Sequence, residues 1–233
     1  AFVSLPPLRE RPADIPIRPN LDLSIPLPNQ DYWYRVYRWD YRYYALGLPC
    51  TLDIPADYDL PQLIAHYYGL TTWVDDAVGR MLAALDRAGL AEDTIVLFLS
   101  DHGDNLGSHN LVQKGGANEE AVRVPLVARW PGRIGAGRVV NDVAAGLVDV
   151  APTLLSLAGI EAPAHFHGKS LAAAARGADR PTSDWTIIEN SQGAGVRTPR
   201  HLLFLPWGPQ KPVLGPAPLF YFDLAADPYE LVN

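Results

Sequence analysis

The longest regular pattern of apolar and polar residues predicts a helix from about Leu60 to Ala88. Apolar residues recur in it every three or four positions, which places them on one side of an α-helix. These positions are Ile64, Tyr67, Thr71, Val74, Val78, Met81 and Leu85. Asp59 can cap the helix, Pro61 suits its first turn, and Gly89 can end it. We therefore expect a long helix whose apolar stripe faces a core.

Two short apolar runs, Thr94–Ser100 and Val124–Trp130, predict strands. Unbroken runs that contain β-branched residues are typical of parallel strands buried on both faces. A second helix is predicted over Val148–Ala158, with Asp149 near its cap. Because helices alternate with buried strands, we expect an α/β fold in which helices are layered on a sheet.

The last part of the chain has a different pattern. Short apolar runs at Trp185–Ile188, His201–Leu205 and Leu219–Asp223 are separated by glycine and proline clusters. Such runs are typical of an antiparallel sheet. We therefore predict two units, an α/β body over residues 1–176 and a small antiparallel α+β subdomain over residues 177–233.

The first part of the chain, residues 1–58, is predicted to be irregular. Residues 1–30 contain seven prolines, which lack an amide donor and fit neither a helix interior nor an inner strand. In residues 32–44, tyrosine and tryptophan are interspersed with arginine. This aromatic stretch is either a half-buried packing surface or part of a substrate cleft.

Composition and charge exclude several classes of protein. The 233 residues are 48% hydrophobic, which supplies enough apolar surface for a core and excludes a disordered chain. The formal charge of −7 gives no overall basic surface for nucleic acid. The single cysteine excludes an intrachain disulfide. No apolar stretch approaches the roughly 20 residues that cross a bilayer.

The segment richest in reactive side chains follows the first predicted strand and runs from Ser100 to Lys114. Ligands bind at the carboxyl ends of strands in open α/β sheets. Asp101 and His102 offer an oxygen and a nitrogen, a pair that suits Mn²⁺ or Zn²⁺, whereas Ca²⁺ prefers oxygen alone. Lys114 offers a positive charge for an anionic group held by the metal.

Each of these residues also has a structural interpretation. An Asp-His-Gly turn after a strand is often only a capped loop. Asp104 can cap a helix or form an Asx turn. His109 is a candidate for substrate binding, and the alternative is a packed histidine. Lys114 can equally be a solvated surface lysine.

A series of linked motifs narrows these alternatives. SDHGDNLGSHNLVQKG is preceded by YYGLTTWVDDAVGRMLAALDRAGLAEDTIVLFL and followed, in order, by EEAVRVPLVARWPGRI, VDVAPTLLSLAGI, HGKSL and LFYFDLAADPYELVN. Over about residues 60–233, this series resembles the sulfatase family of the alkaline-phosphatase-like superfamily. The resemblance implies the layered α/β fold of that superfamily, present here in part, with a small C-terminal subdomain.

The resemblance also implies a function, the hydrolysis of sulfate monoesters. Such enzymes use one divalent metal ion, Ca²⁺ in many and Mn²⁺ or a similar ion in others, and a formylglycine nucleophile made from cysteine or serine. Asp101 and His102 match a pair of metal ligands, and Lys114 matches the catalytic lysine that contacts the sulfate and its ester oxygen. The Asp-His pair resembles the branch that includes phosphonate monoester hydrolases and choline-sulfatase-like enzymes.

The nucleophile of the family has no match in these 233 residues. Its motif is Cys/Ser-x-Pro-x-Arg, and Cys50 lacks both the proline and the arginine, so we interpret it as structural. Asp75 and Asp76 are interpreted as helix surface. The sequence also begins without an initiator methionine or the pattern of a signal peptide. We therefore expect a piece of a longer enzyme that is inactive without the remainder of the parent chain, in a compartment that the sequence does not reveal.

Two alternatives to a sulfatase stay open. One is a phosphonate or phosphate ester hydrolase of the same superfamily. The other is a non-catalytic sulfatase-like module that binds sulfated glycans or a partner. For the sulfatase and for the phosphonate or phosphate ester hydrolase, the expected partner is a small-molecule or glycan ester. We expect no role for nucleic acid and no membrane span.

Overall fold

The computed structural model describes residues 60–111, 114, 116–141, 143–177, 184–190, 192–207 and 220–232. The irregular segment over residues 1–58 and the structural role of Cys50 lie outside the described residues. Within them, none of the helices is both long and apolar enough to cross a bilayer.

The first helix, α1, spans Leu60–Arg87 and confirms the predicted helix. Its beginning is buried, with Ile64 and Ala65 only 5% and 0% exposed. The expectation that the whole stripe faces a core is wrong, because Val74 and Met81 are 45% and 61% exposed. Spacing shows which side of a helix is apolar, whereas a burying partner has to come from elsewhere in the fold.

The two predicted strands form, but they pair antiparallel rather than parallel. Strand β1, Val96–Leu99, pairs with β2, Leu126–Arg129, so that Leu99 faces Leu126. The chain reverses direction between them, and the described residues of the connection contain no helix long enough for a parallel crossover. The expected burial on both faces is also wrong, since Phe98 is 40% and Val127 56% exposed.

The second predicted helix also forms. A 3₁₀ turn over Leu147–Asp149 leads into α3, Val150–Leu157. The buried Asp149 carboxylate accepts the backbone N–H of Gly146 at 2.9 Å and that of Lys169 at 2.7 Å. These bonds hold the 3₁₀ turn that precedes α3. Asp149 is the N-cap residue of α3, as predicted, but its side chain makes no capping hydrogen bond to that helix. The shorter helical elements are 3₁₀ turns at Ala91–Asp93 and Ser108–Asn110, helix α2 at Glu119–Val122 and helix α4 at Ala172–Ala175.

The C-terminal part is an antiparallel sheet, as predicted. Its strands pair in chain order: β3 Thr186–Glu189, β4 Gly193–Arg197, β5 His201–Pro206 and β6 Phe220–Asp223. Strand β4 was not predicted, because its glycines hide the alternation. At Gly193 a side chain would come within 2.3 Å of the Leu205 carbonyl oxygen, so the close approach of β5 requires glycine.

The best-packed core joins this sheet to the segment that follows β1. Buried residues from both parts contact one another: Leu111, Ala117, Leu202, Phe204, Phe220 and Phe222. The C-terminal sheet therefore supports the segment in which the candidate site residues lie. The boundary between the two predicted units, at residues 176 and 177, stays a prediction.

Candidate functional site

Asp101 and His102 converge at the end of β1. The Asp101 Oδ2 atom lies 3.4 Å from His102 Nε2, and Asp101 Oδ1 accepts the backbone N–H of His102 at 2.9 Å. The Asp101 side chain is 82% exposed and that of His102 is 38% exposed. An oxygen and a nitrogen donor thus face the same accessible point.

A hydrogen bond fixes which nitrogen of His102 is available. Its Nδ1 lies 2.8 Å from the Gly103 carbonyl oxygen, which can only accept, so Nδ1 carries the hydrogen. The Nε2 lone pair is then directed toward Lys114, whose Nζ donates to it at 2.7 Å. The structure therefore brings three residues predicted from the sequence together.

This group of three residues has a defined chemical capacity. A carboxylate oxygen and a neutral imidazole nitrogen are two ligands for a divalent cation, and the carbonyl partner of the imidazole is the support that metal-binding histidines usually have. Such cations take four or more ligands, so further ligands are needed beyond Asp101 and His102. Because Nε2 has one lone pair, Lys114 and a cation compete for it.

Gly103 holds the site against helix α2. Its N–H donates to the Ala121 carbonyl oxygen at 2.8 Å. A Cβ atom at this position would lie 1.9 Å from the Glu120 carbonyl oxygen, so no other residue fits without moving the backbone. Glycine is therefore required beside the candidate ligand His102.

Asp104 has a local structural role. Its Oδ1 accepts the N–H of Leu106 at 2.9 Å, which is the geometry of an Asx turn. This is the structural alternative that the sequence offered for Asp104. The turn leads to Leu106 with a φ of 46°, in the left-handed region that favours glycine.

His109 lies in a buried cluster of ionisable groups. Its side chain is 5% exposed, and its Nε2 lies 3.5 Å from Glu230 Oε2 and 3.8 Å from Glu120 Oε2. The substrate-binding role suggested for His109 stays a prediction. Neither glutamate is predicted as a site residue from the sequence, although Glu120 stands in the motif EEAVRVPLVARWPGRI and Glu230 in the motif LFYFDLAADPYELVN, and these motifs are the available signal for them.

Glu230 is the most deeply buried acid of this cluster, with 1% exposure. Its carboxylate accepts the Asn118 Nδ2–H at 3.1 Å and the Glu119 N–H at 3.2 Å. Burial raises the pKa of Glu230 above its ordinary value, and the contact with His109 opposes that rise. The donor atoms of the cluster lie within 4.8 Å of one another, close enough to surround a cation.

Comparisons with known proteins identify the family. The family model for sulfatases matches residues 14–160, which is more than half of the chain. The chain belongs to the sulfatase family. Its motifs, read above from the sequence as a resemblance, are therefore those of a true member, and Asp101 and His102 lie inside the matched range.

This sulfatase chain is similar to enzymes of more than one activity. It is 34% identical over 192 residues to an arylsulfatase of Clostridium perfringens, covering 79% of this chain and 38% of that enzyme. It is 39% identical over 127 residues to the multifunctional alkaline phosphatase superfamily protein PehA of Trinickia caryophylli, covering 54% of this chain and 24% of that protein.

A solved structure confirms the fold. The chain matches a phosphonate monoester hydrolase of Silicibacter pomeroyi with a TM-score of 0.70 and 25% identity, covering 93% of this chain and 47% of that one. The sulfatase chain therefore has the α/β fold of the alkaline-phosphatase-like superfamily. It spans less than half the length of each of these three relatives.

Proposed function

We propose that this chain supplies part of the active site of a sulfuric ester hydrolase that cleaves a sulfate monoester. The observation that carries the proposal is the convergence of Asp101, His102 and Lys114, with separations of 3.4 Å and 2.7 Å along the group. A carboxylate, a neutral imidazole and an ammonium at one exposed point suit a metal-assisted ester cleavage. The substrate class is a sulfate ester of a small molecule or a glycan.

In this proposal, Asp101 Oδ2 and His102 Nε2 hold one divalent cation, Ca²⁺ or Mn²⁺. The fit rests on the His102 tautomer, since the bond to Gly103 leaves Nε2 free of hydrogen. When bound, the cation supplies positive charge to the sulfate oxygens. The remaining ligands come from outside the described residues.

Lys114 is proposed as the catalytic cation that acts on the ester. Its ammonium is exposed and lies 2.7 Å from His102 Nε2, so it would stand beside an anion held at a cation on that nitrogen. Cleavage of a sulfate ester develops negative charge on the departing oxygen, and a fixed positive charge or donor at that oxygen lowers the barrier. Lys114 thus binds the sulfate group and stabilises the leaving oxygen.

The nucleophile is proposed to be a formylglycine in a part of the complete protein that these 233 residues do not include. The proposal rests on the family's Cys/Ser-x-Pro-x-Arg motif, which the sequence lacks. We therefore expect no sulfate ester turnover from this chain alone, and turnover from the complete protein that carries it.

Metal binding can be tested on the complete protein that carries this chain. We expect Asp101→Ala to abolish calorimetric binding of Mn²⁺ or to weaken it by about 100-fold, because one of the two ligands that this chain supplies is lost. Asp104→Asn is the matched control, since it removes a charge from the same loop and keeps the acceptor of the Asx turn. Equal Mn²⁺ affinity in the Asp101→Ala variant and the control would exclude the assigned metal site.

A phosphonate ester hydrolase is the second candidate, favoured by the likeness to the Silicibacter pomeroyi enzyme. Sulfur and phosphorus esters share a tetrahedral anionic group, so the three side chains suit either. The complete protein is to be assayed with an aryl sulfate and an aryl phosphonate of the same leaving group. We expect the larger kcat/KM for the sulfate, and the reverse order would assign the phosphonate activity.

A further inference from the structure

Two buried residues of unusual backbone conformation face each other behind the site. His109 and Glu230 have φ angles of 56° and 55°, in the left-handed region that residues other than glycine seldom adopt. Their side chains are 5% and 1% exposed, with Nε2 of the histidine 3.5 Å from Oε2 of the glutamate. Strained conformations of this kind persist only where the surrounding structure holds them.

Glu230 binds the beginning of helix α2. One oxygen accepts the N–H of Glu119 at 3.2 Å, and the other accepts the side-chain amide of Asn118 at 3.1 Å. The Glu119 carboxylate in turn receives two bonds of 2.9 Å from the Arg197 guanidinium on strand β4. Arg197 of the C-terminal sheet and Glu230 of the C-terminal segment therefore both stabilise the start of α2.

Helix α2 then holds the loop that carries the proposed metal ligands. Gly103, next to His102, donates its N–H to the Ala121 carbonyl oxygen at 2.8 Å. The Glu120 carbonyl oxygen fills the space that a side chain at Gly103 would need. A continuous series of contacts thus joins Glu230 to His102.

We propose that Glu230 and His109 are positioning residues for the proposed metal and ester site. Glu230 fixes the start of α2, α2 fixes Gly103, and His109 fixes the other end of the same loop against Glu230 and Glu120. In this proposal the pair acts through the backbone, and His109 has this role in place of the substrate-binding role predicted for it from the sequence. This inference rests on the proposed function for its catalytic consequence, and the contacts behind the loop are independent of it.

The charges around the pair set the choice of variants. His109 faces the carboxylates of Glu230 and Glu120, and Glu230 faces the Asn118 amide and the Glu119 N–H. Glu230→Gln keeps an acceptor oxygen for α2, whereas Glu230→Ala removes both acceptors. The matched control is Glu189→Ala, an exposed glutamate on strand β3 of the same sheet.

The first test uses the metal-free chain and reads the imidazole nitrogens of His102 by ¹⁵N NMR. In the wild type, the Gly103 bond predicts one tautomer with hydrogen on Nδ1. We expect Glu230→Ala to bring the two nitrogen shifts toward each other as the tautomers average, and Glu230→Gln and Glu189→Ala to keep them apart. Unchanged His102 shifts in a folded Glu230→Ala variant would overturn the proposal.

The second test measures calorimetric Mn²⁺ binding by the same variants of the complete protein, which supplies the remaining ligands. Loss of positioning weakens the affinity by about 10-fold or more with unchanged stoichiometry. A merely structural role lowers the stoichiometry as molecules unfold, with the affinity of the folded molecules unchanged, and that result overturns the proposal. If the wild type binds no Mn²⁺ but the His102 shifts respond to Glu230→Ala, the proposed metal site fails and the positioning role stands.

A metal held within the cluster of His109, Glu120 and Glu230 is the competing interpretation, because their donor atoms lie within 4.8 Å of one another. Elemental analysis of purified Asp101→Ala separates it from the proposed site. We expect no stoichiometric metal in this variant. Metal that is present in Asp101→Ala and absent from the double variant Asp101→Ala/Glu230→Gln would show that a cation joins His109 to Glu230. That result would overturn the proposed direct contact of the pair.

Discussion

At the scale of single residues, the candidate site combines features that local sequence can and cannot reveal. The strand-end motif predicted the meeting of Asp101, His102 and Lys114, because one strand end and one loop deliver all three. It could not predict the contact of His109 with Glu230, since no local pattern specifies which distant residue approaches a loop. The tautomer of His102 likewise depends on the fold of the turn at Gly103.

The position of Lys114 leads to opposite effects of one substitution on binding and on turnover. Lys114→Met removes a donor from His102 Nε2 and a positive charge beside it. We expect Mn²⁺ to bind the complete protein about two- to fivefold more tightly, because the gain from removing an exposed charge is small. We expect turnover by the complete protein to fall about 100-fold, because a stabilising group of the transition state is lost.

Calorimetry and a sulfate ester assay check the two effects, with Lys169→Met as a control that removes a lysine charge elsewhere. Lys169 lies over the Trp185 ring, 4.8 Å from its centroid. Weaker Mn²⁺ binding by Lys114→Met would contradict the competition for Nε2. Unchanged turnover would exclude Lys114 from the reaction.

At the scale of elements, the sequence predicted which helices and strands form better than it predicted how they are arranged. Helix α1 and three strands of the C-terminal sheet follow from periodicity and from turn residues, which are local. The direction in which β2 pairs with β1 depends on the path of the 26 intervening residues, 100 to 125, which periodicity does not encode. Strand β4 was not predicted, because Gly193 and Gly195 are required by the close packing against β5 and interrupt the alternation of apolar and polar residues that marks a strand.

The C-terminal sheet contains an ion pair that makes stability depend on acid. Arg200, before β5, binds the Asp223 carboxylate at the end of β6 through bonds of 3.0 Å and 2.6 Å. The hydrogen bond from Arg200 lowers the pKa of Asp223 from 3.8 to about 2, helped by the backbone N–H groups of Ala225 and Ala226. Since the pKa of Asp223 is lower in the folded chain, the ion pair makes its full contribution to the free energy of unfolding above about pH 3.8. That contribution is lost as the pH falls through about 2.

We therefore expect Asp223→Asn to lower the urea midpoint at about pH 5, and the gap from the wild type to close as the pH falls to about 2. Urea unfolding followed by circular dichroism across this range measures the gap. A gap that stays constant with pH would show that the carboxylate charge makes no contribution.

At the scale of the whole molecule, apolar surface is distributed unevenly. The C-terminal sheet and the site loop share a buried core, whereas the strand pair β1–β2 exposes Phe98, Leu99 and Leu126 to between 36% and 40%, and Val127 to 56%. Exposed apolar strands favour association between molecules. This part of the fold could not be judged from sequence, because an apolar run looks the same whether or not a second layer covers it.

We expect Val127→Lys to reduce self-association of the chain, because it places a charge on the face of the β1–β2 pair that Phe98 and Val127 share. Sedimentation velocity over a range of concentrations measures the effect. Val139→Lys is the control, since Val139 is 76% exposed and lies outside both sheets. Equal self-association of the two variants would contradict a role for the β1–β2 face.

The contact between Glu230 and the site loop also has a consequence for the order of events during synthesis. A ribosome makes β1, Asp101, His102 and Lys114 before Glu230, which follows Lys114 by 116 residues. Domains form from the N-terminus as they emerge, but contacts between distant residues have to wait for both partners. A chain stopped just before Glu230 would contain Asp101 and His102 without the carboxylate that holds α2 and Gly103 in place, so these two proposed ligands are positioned only after Glu230 has been made.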